Sequence, residues 1–299
     1  MKRAALIFLV AAHAAVLLAP WIAPYEPALQ NRGRPYQPPS TLRLLPRPAV
    51  IEEGRAYPVR FFHQGRLFGV DEPARIFLLG SDGFGRDQFS RLLHGGRISL
   101  GAGLLATAIT LLLGSLAGAL AGYYGRWTDD LLMRLAELFL ALPWLYLLLG
   151  VRAFLPLSLE PAQAFLLIVA VIGTLGWARP ARLVRGVVLS ARERGYVLAA
   201  RGFGASDFHL LRRHILPETA GVVLTQATLL APRYVLAEVT LSFLGLGVGE
   251  PAPSWGNMLA GAQQYAVLVS YWWMLLPGVA LVPVFTGYFV LANSLLDGE

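Results

Sequence analysis

The chain has 299 residues, 56% of them hydrophobic and 14% charged, with a formal net charge of +7. Apolar stretches near or above the roughly 20 residues needed to cross a bilayer recur along it, so an ordinary water-soluble globular fold is excluded. Cysteine is absent and Lys2 is the only lysine. Disulfides, thiolate metal sites and cysteine nucleophiles are therefore excluded, as is a P-loop, which needs a lysine late in its glycine-rich motif.

Lys2 and Arg3 precede an apolar run over residues 4–24, which reads as a first span with a cytoplasmic N-terminus. A cleaved signal peptide opens with the same charges, but its apolar region usually covers about 7–15 residues. Residues 25–96 are polar, proline-rich and arginine-rich and are read as an extracytoplasmic segment. Their arginines do not contradict the positive-inside rule, which weakens for loops longer than about 60 residues. Five further spans are expected over 98–123, 131–154, 164–178, 220–246 and 271–296.

The fold class is thus an all-α polytopic membrane protein with six transmembrane helices: 1–24, an extracytoplasmic insertion over 25–96, and a core of five helices over 97–299. Orientation follows from charge. Arg179, Arg182, Arg185, Arg192, Arg194, Arg201, Arg212 and Arg213 face only Glu193 and Asp207 over 179–217, whereas 156–163 and 247–270 carry no lysine or arginine. Both termini are expected in the cytoplasm, the chain crossing its membrane several times. Basic residues at span ends also explain the net charge better than nucleic acid does, since no soluble basic domain is visible.

In the second span, small residues recur at spacings of three and four, which predicts close helix packing in lipid. Arg134 and Glu137, three apart at the start of the third span, predict a structural ion pair.

The cytoplasmic segment 190–217 is the most informative. Residues up to Phe203 are good helix formers, and Gly204 can supply the left-handed conformation that ends a helix. Ser206 or Asp207 can cap a second helix, which Pro217 is expected to stop. On that second helix Phe208, Leu211 and Ile215 share a stripe while Arg212 and Arg213 point elsewhere, a face able to enter a partner's groove or to lie flat on anionic lipid.

This segment resembles the cytoplasmic signature loop of binding-protein-dependent ABC permeases: Glu-Ala-Ala, three residues, Gly, nine residues, Ile-x-Leu-Pro. Ala199, Ala200, Gly204, Leu216 and Pro217 fall on the pattern, while Leu198 replaces the glutamate and His214 the isoleucine. Four further blocks, over 80–100, 133–149, 181–186 and 236–259, are similar in order and spacing to the dipeptide, oligopeptide and nickel permease family.

The resemblance implies a type I ABC importer transmembrane domain. It further implies a homologous second permease subunit, two cytoplasmic ATPase subunits that use ATP and Mg, and an extracytoplasmic solute-binding protein. This chain itself would bind no cofactor and would not be an enzyme. Segment 190–217 would be the element coupled to the ATPases. The cargo would be dipeptides or oligopeptides, or else nickel or another small solute.

Glu238, inside the fifth span, is a candidate to line the path or to bond a neighbouring helix. Ser242, Phe243, Gly245 and Gly247 mark the outer end of that span, where two permease subunits could meet as a gate. The five histidines form no metal-ligand spacing, and no hydrolase motif is present. An ion-driven secondary transporter is the competing class, but no inverted repeat is visible and a long basic loop has no role there.

Overall fold

The computed structural model describes residues 2–43, 48–154, 156 and 159–296. The expected connection 156–163 and both chain ends fall partly outside them. Among the described residues three helices are long and apolar enough to cross a membrane, and two bent helix pairs raise that to five. Helix α1 (Lys2–Leu17), continued by the single turn α2 (Ala19–Ile22), is compatible with a sixth. Pro20 in the first turn of α2 accounts for the break, since it cannot donate to the preceding helix.

Between α2 and α3 the chain forms two small antiparallel sheets: β1 (Thr41–Arg43), β2 (Ala49–Glu52) and β3 (Arg55–Pro58), and a hairpin of β4 (Arg60–Phe61) with β5 (Phe68–Gly69). The helical fold therefore carries five short strands, among the described residues, that periodicity of the apolar spans could not reveal. Helix α3 (Gln88–Tyr124) starts ten residues before the expected span. Asp87 caps it, accepting from the Ser90 amide at 2.8 Å, so the helix begins inside the segment read as extracytoplasmic.

The third expected span is broken. Helices α4 (Arg126–Ala141) and α5 (Trp144–Ala153) meet at 93° across Leu142 and Pro143. Proline disfavours a helical residue before it and cannot donate to the turn behind it, which gives the corner. Helices α6 (Pro161–Leu175) and α7 (Ala178–Arg192) bend by a gentler 43°, so the helical path continues beyond the expected fourth span through Arg179, Arg182 and Arg185.

Helix α3 is the centre of the bundle. Gly114, Gly118 and Gly122, one turn apart, lie against α7: a methyl group on Gly114 would stand 2.7 Å from Pro180, and one on Gly122 would stand 2.9 Å from Val188. Small residues on α3 therefore let the two backbones approach where lipid supplies no hydrophobic drive. On its other flank α3 packs against α10 (Ala220–Phe243), with Gly103 beneath Val235. Helix α13 (Leu276–Leu296) closes the bundle against α1, Leu9 and Val16 meeting Val284 and Tyr288.

Candidate functional site

At one end of the bundle, called here the elbow end, helix α8 (Gly195–Gly202) leads into Gly204. Gly204 has φ +84°. Its amide donates to the Arg201 carbonyl at 3.0 Å, and the Ala205 amide donates to the Ala200 carbonyl at 3.1 Å. These two bonds form a Schellman motif, in which glycine takes the left-handed position without a Cβ penalty. Ser206 then caps α9 (Asp207–Leu210), accepting from the His209 amide at 3.4 Å. The expected helix, glycine elbow and second helix are all present, except that Glu193 and Arg194 separate α7 from α8.

Pro217 does not stop the second helix. Residues Leu211–Ile215 widen into a π turn, the Leu216 amide reaching the Leu211 carbonyl, and Leu216–Thr219 form a tight 3₁₀ turn that runs straight into α10. Proline inside an α-helix clashes with the carbonyl four residues earlier. The wide turn before Pro217 moves that carbonyl, so the chain stays helical through the proline.

The same widening changes which residues face inward. Leu210 and Ile215, five apart, are fully buried with Val184, Val188, Ala191 and Val197. Leu211 and Leu216 are half-buried against that cluster. Of the stripe Phe208, Leu211 and Ile215, only Phe208 projects outward, at 71% exposure. Phe203, which sequence periodicity did not single out, projects beside the elbow at 92%. Ala199, Gly204, Ser206, Asp207, Arg212, Arg213 and Pro217 are also exposed, and Ala200 is half-buried.

Four arginines of this end are staples. Arg185 grips Asp129 of α4 through both carboxylate oxygens. Arg192 donates to the Gly122 carbonyl at the end of α3 at 2.9 Å, and Arg194 pairs with Glu218 at 2.8 Å. Tyr123 joins three elements: its hydroxyl donates to Asp207 at 2.6 Å and accepts from Arg201 at 3.2 Å, with the Arg201 guanidinium over its ring. The bond to Tyr123 holds the Arg201 pKa above its ordinary value. Arg134 and Glu137 are both exposed and form no ion pair. Asp129 of α4 pairs instead with Arg185 of α7, which spacing along one helix cannot indicate.

At the far end, Gly245 (φ +74°) terminates α10 in a second Schellman motif, the Leu246 amide reaching the Leu241 carbonyl at 2.8 Å. Glu238 is fully buried. It accepts from Ser242 Oγ at 2.6 Å, Ser242 Oγ accepts from the Val248 amide at 3.1 Å, and Glu238 Oε2 has no hydrogen-bond partner among the described residues. Gly247 is packed on Ser242 so tightly that no side chain would fit. Glu238 and Ser242 thus sit inside the chain's own packing, Phe243 is half-buried, and Gly245 is exposed.

Charge at this end is concentrated on two buried arginines that the sequence did not single out. Arg86 donates to Asp82 at 2.6 Å and to both oxygens of Glu250, at 2.6 and 3.1 Å. Arg91 donates to Glu250 at 2.9 Å. Burial also pushes the Asp87 carboxyl up to about 7, partly offset by the Ser90 hydroxyl and amide. Helix α11 (Trp255–Ala260) opens with a capping box of Ser254 and Asn257, and the Trp255 amide donates to Ser99 of α3 at 3.1 Å. Among the described residues no cluster of histidines and carboxylates could hold a metal ion.

The stretch from within α3 to the end of α13 matches a known family. A family model described as the binding-protein-dependent transport system inner membrane component matches residues 95–296. The chain belongs to this family of membrane transport permeases. It is 36% identical over 225 residues, 75% of this chain and 72% of the relative, to the dipeptide transport system permease protein DppC of Alkalihalophilus pseudofirmus. It is 35% identical over 293 residues, 98% and 85% of the two chains, to the di/tripeptide transport system permease protein DppC of Pseudomonas aeruginosa.

A solved structure of the MetNI methionine ABC transporter in an inward-facing conformation shares the fold, with TM-score 0.54 at 17% identity, covering 70% of this chain and 96% of that one. In this permease the four sequence blocks that carried the resemblance are spread over both ends. Blocks 80–100 and 236–259 meet in the Arg86–Glu250 ion pair, and 181–186 lies along α7 behind the elbow.

Proposed function

We propose that this permease is one half of the membrane channel of an ATP-driven importer that moves dipeptides or oligopeptides into the cytoplasm. A homologous second permease completes the channel, two cytoplasmic ATPases drive it, and an extracytoplasmic binding protein delivers the cargo. The elbow end lies in the cytoplasm, as the arginine distribution requires, with both chain termini on that side. Residues 1–24 form the first span, the segment up to Asp87 lies outside, and the core from α3 onward carries the path.

The observation that carries this reading is the elbow. Two short helices joined at Gly204 hold Phe203 and Phe208 in water, beside Arg212 and Arg213, while Leu210 and Ile215 root them in the bundle. Large exposed aromatics flanked by arginines are the composition of a protein-binding anchor. In the assembled importer that anchor sits in a cleft of an ATPase, and its root on α7 and α10 transmits the movement to the spans. Peptides are favoured as cargo because relatives of the chain are dipeptide and di/tripeptide permeases, and specificity rests mainly with the binding protein.

The test is copurification of the chain with its ATPases and binding protein, followed by reconstitution in vesicles. Uptake of a labelled peptide that depends on ATP and on the binding protein is expected. Uptake driven by an ion gradient without ATP contradicts the proposal.

A further inference from the structure

The hairpin β4–β5 has no part in the reading above. One of its faces is apolar: Phe61 pairs across the ladder with Phe68, whose ring packs 6.3 Å from that of Phe89 on α3. Its other face is polar, with Arg60 paired to Asp71 at 2.7 Å. At the turn, Phe62 and Gln64 take left-handed backbone conformations, φ +56° and +50°. Bulky residues rarely accept that region, and where they do the surrounding structure holds them there. The outcome is a pair of adjacent phenylalanines in the open, Phe61 at 63% and Phe62 at 72% exposure.

The height of this pair relative to the bundle is fixed by three bonds and contacts. The Leu67 amide donates to the Trp21 carbonyl at 2.7 Å, Arg66 Nη1 donates to the Ala23 carbonyl at 3.0 Å, and the Trp21 and Phe62 rings stand 6.3 Å apart. Trp21 lies in the last turn of the first helical run. From Lys2 to Ile22 that run is about 30 Å long at 1.5 Å per residue, the thickness of a bilayer's hydrocarbon core. The phenylalanines therefore stand at the level where acyl chains give way to headgroups. They also continue the bare apolar flank of that helix, on which Ile7, Val10, Leu17, Leu18 and Trp21 are exposed.

We propose that hairpin 60–69 is an interfacial lipid anchor, with Phe61 and Phe62 entering the headgroup–acyl boundary beside Trp21. Lipid is the occupant because the patch is continuous with the exposed apolar flank of α1, and because a Trp at the end of a span, with large apolar side chains beside it, matches the composition of the bilayer interface. The proposal rests on the first helix spanning the membrane, as in the topology above.

The native chain has no cysteine, so single replacements label at one place. Phe61→Cys, Phe62→Cys, Val10→Cys and Arg55→Cys, each carrying a bimane fluorophore, are compared in the complete transporter in phosphatidylethanolamine–phosphatidylglycerol vesicles. At both phenylalanine positions, quenching by lipid spin-labelled near its headgroup is expected to exceed quenching by aqueous iodide several-fold. Val10 should respond to lipid quencher and Arg55 to iodide. Iodide quenching at 61 and 62 equal to that at 55, with Val10 still lipid-quenched, overturns the anchor alone. Shielding of 61 and 62 from both quenchers means that a protein covers the patch, and also overturns it. Loss of lipid quenching at Val10 overturns the spanning helix and the anchor together.

Discussion

At the far end of the bundle two arginines are buried and paired with carboxylates of the same chain, whereas at the elbow end the large apolar groups stand in water. Arg86 and Arg91 are buried in ion pairs with Asp82 and Glu250, and the whole cluster ties the start of α3 to the turn after α10. Phe203 and Phe208, in contrast, touch little of their own chain. An end whose buried arginines are paired within one chain is built to hold shape. An end that leaves aromatic surface bare is incomplete until a partner covers it. Burial separates the two kinds of site more sharply than residue type does: Glu238, in sequence a candidate to line the path or to bond a neighbouring helix, is fully buried and bonded to Ser242 of its own helix.

Substitutions can break or sharpen this contrast. The largest loss of stability is expected for Arg86→Ala, which strips buried Asp82 of its closest partner. Breaking such a pair costs about 3–5 kcal/mol, visible as a lowered melting temperature in detergent. Next comes Ile215→Ala, at about 2–4 kcal/mol, because it opens a cavity beneath the elbow among Val184, Val188 and Leu210. Equal melting of this variant and the native chain would place Ile215 on the docking surface and not in the root.

Tyr123→Phe removes the hydroxyl shared by Asp207 and Arg201 and keeps the ring. A loss of about 1 kcal/mol is expected, with faster backbone hydrogen exchange confined to α8 and α9. Smallest for stability is Phe208→Ala, within about 0.5 kcal/mol because the side chain is exposed. Its effect should appear instead as an ATPase that detaches during purification. A Phe208→Ala complex that stays intact and transports normally would count against the elbow as an anchor.

Much of this was legible in the sequence. Hydropathy located the long helices, arginine counts located the basic end, and the glycine of the elbow fell where a positive φ is required. What stayed hidden depended on long-range geometry. Pro217 reads as a helix stop, and only the π turn beneath it explains why the helix continues. That turn also replaces a 3.6-residue stripe by the pair Leu210 and Ile215, so Phe208 was legible as exposed but its stripe partners were not. Phe203 follows the last strong helix former and carries no periodic signal. Arg86 and Glu250 are 164 residues apart, and no local pattern pairs them. The strands between 41 and 69 are two to four residues long, too short for alternation to stand out in a proline-rich segment.

The central claim is that the elbow transmits ATP-driven movement, and Gly204→Val tests it most directly. Nothing lies within 4 Å of the space a Cβ would occupy, so the substitution adds no clash and acts through its backbone alone. At φ +84° a β-branched residue is strained by about 1–3 kcal/mol, enough to re-aim α9 while α10 stays in the membrane. The decisive measurement is binding-protein-stimulated ATP hydrolysis and peptide uptake by the same reconstituted complex. The account predicts normal membrane insertion, lost uptake, and hydrolysis that no longer responds to the binding protein. Uptake and stimulated hydrolysis at native levels would contradict it.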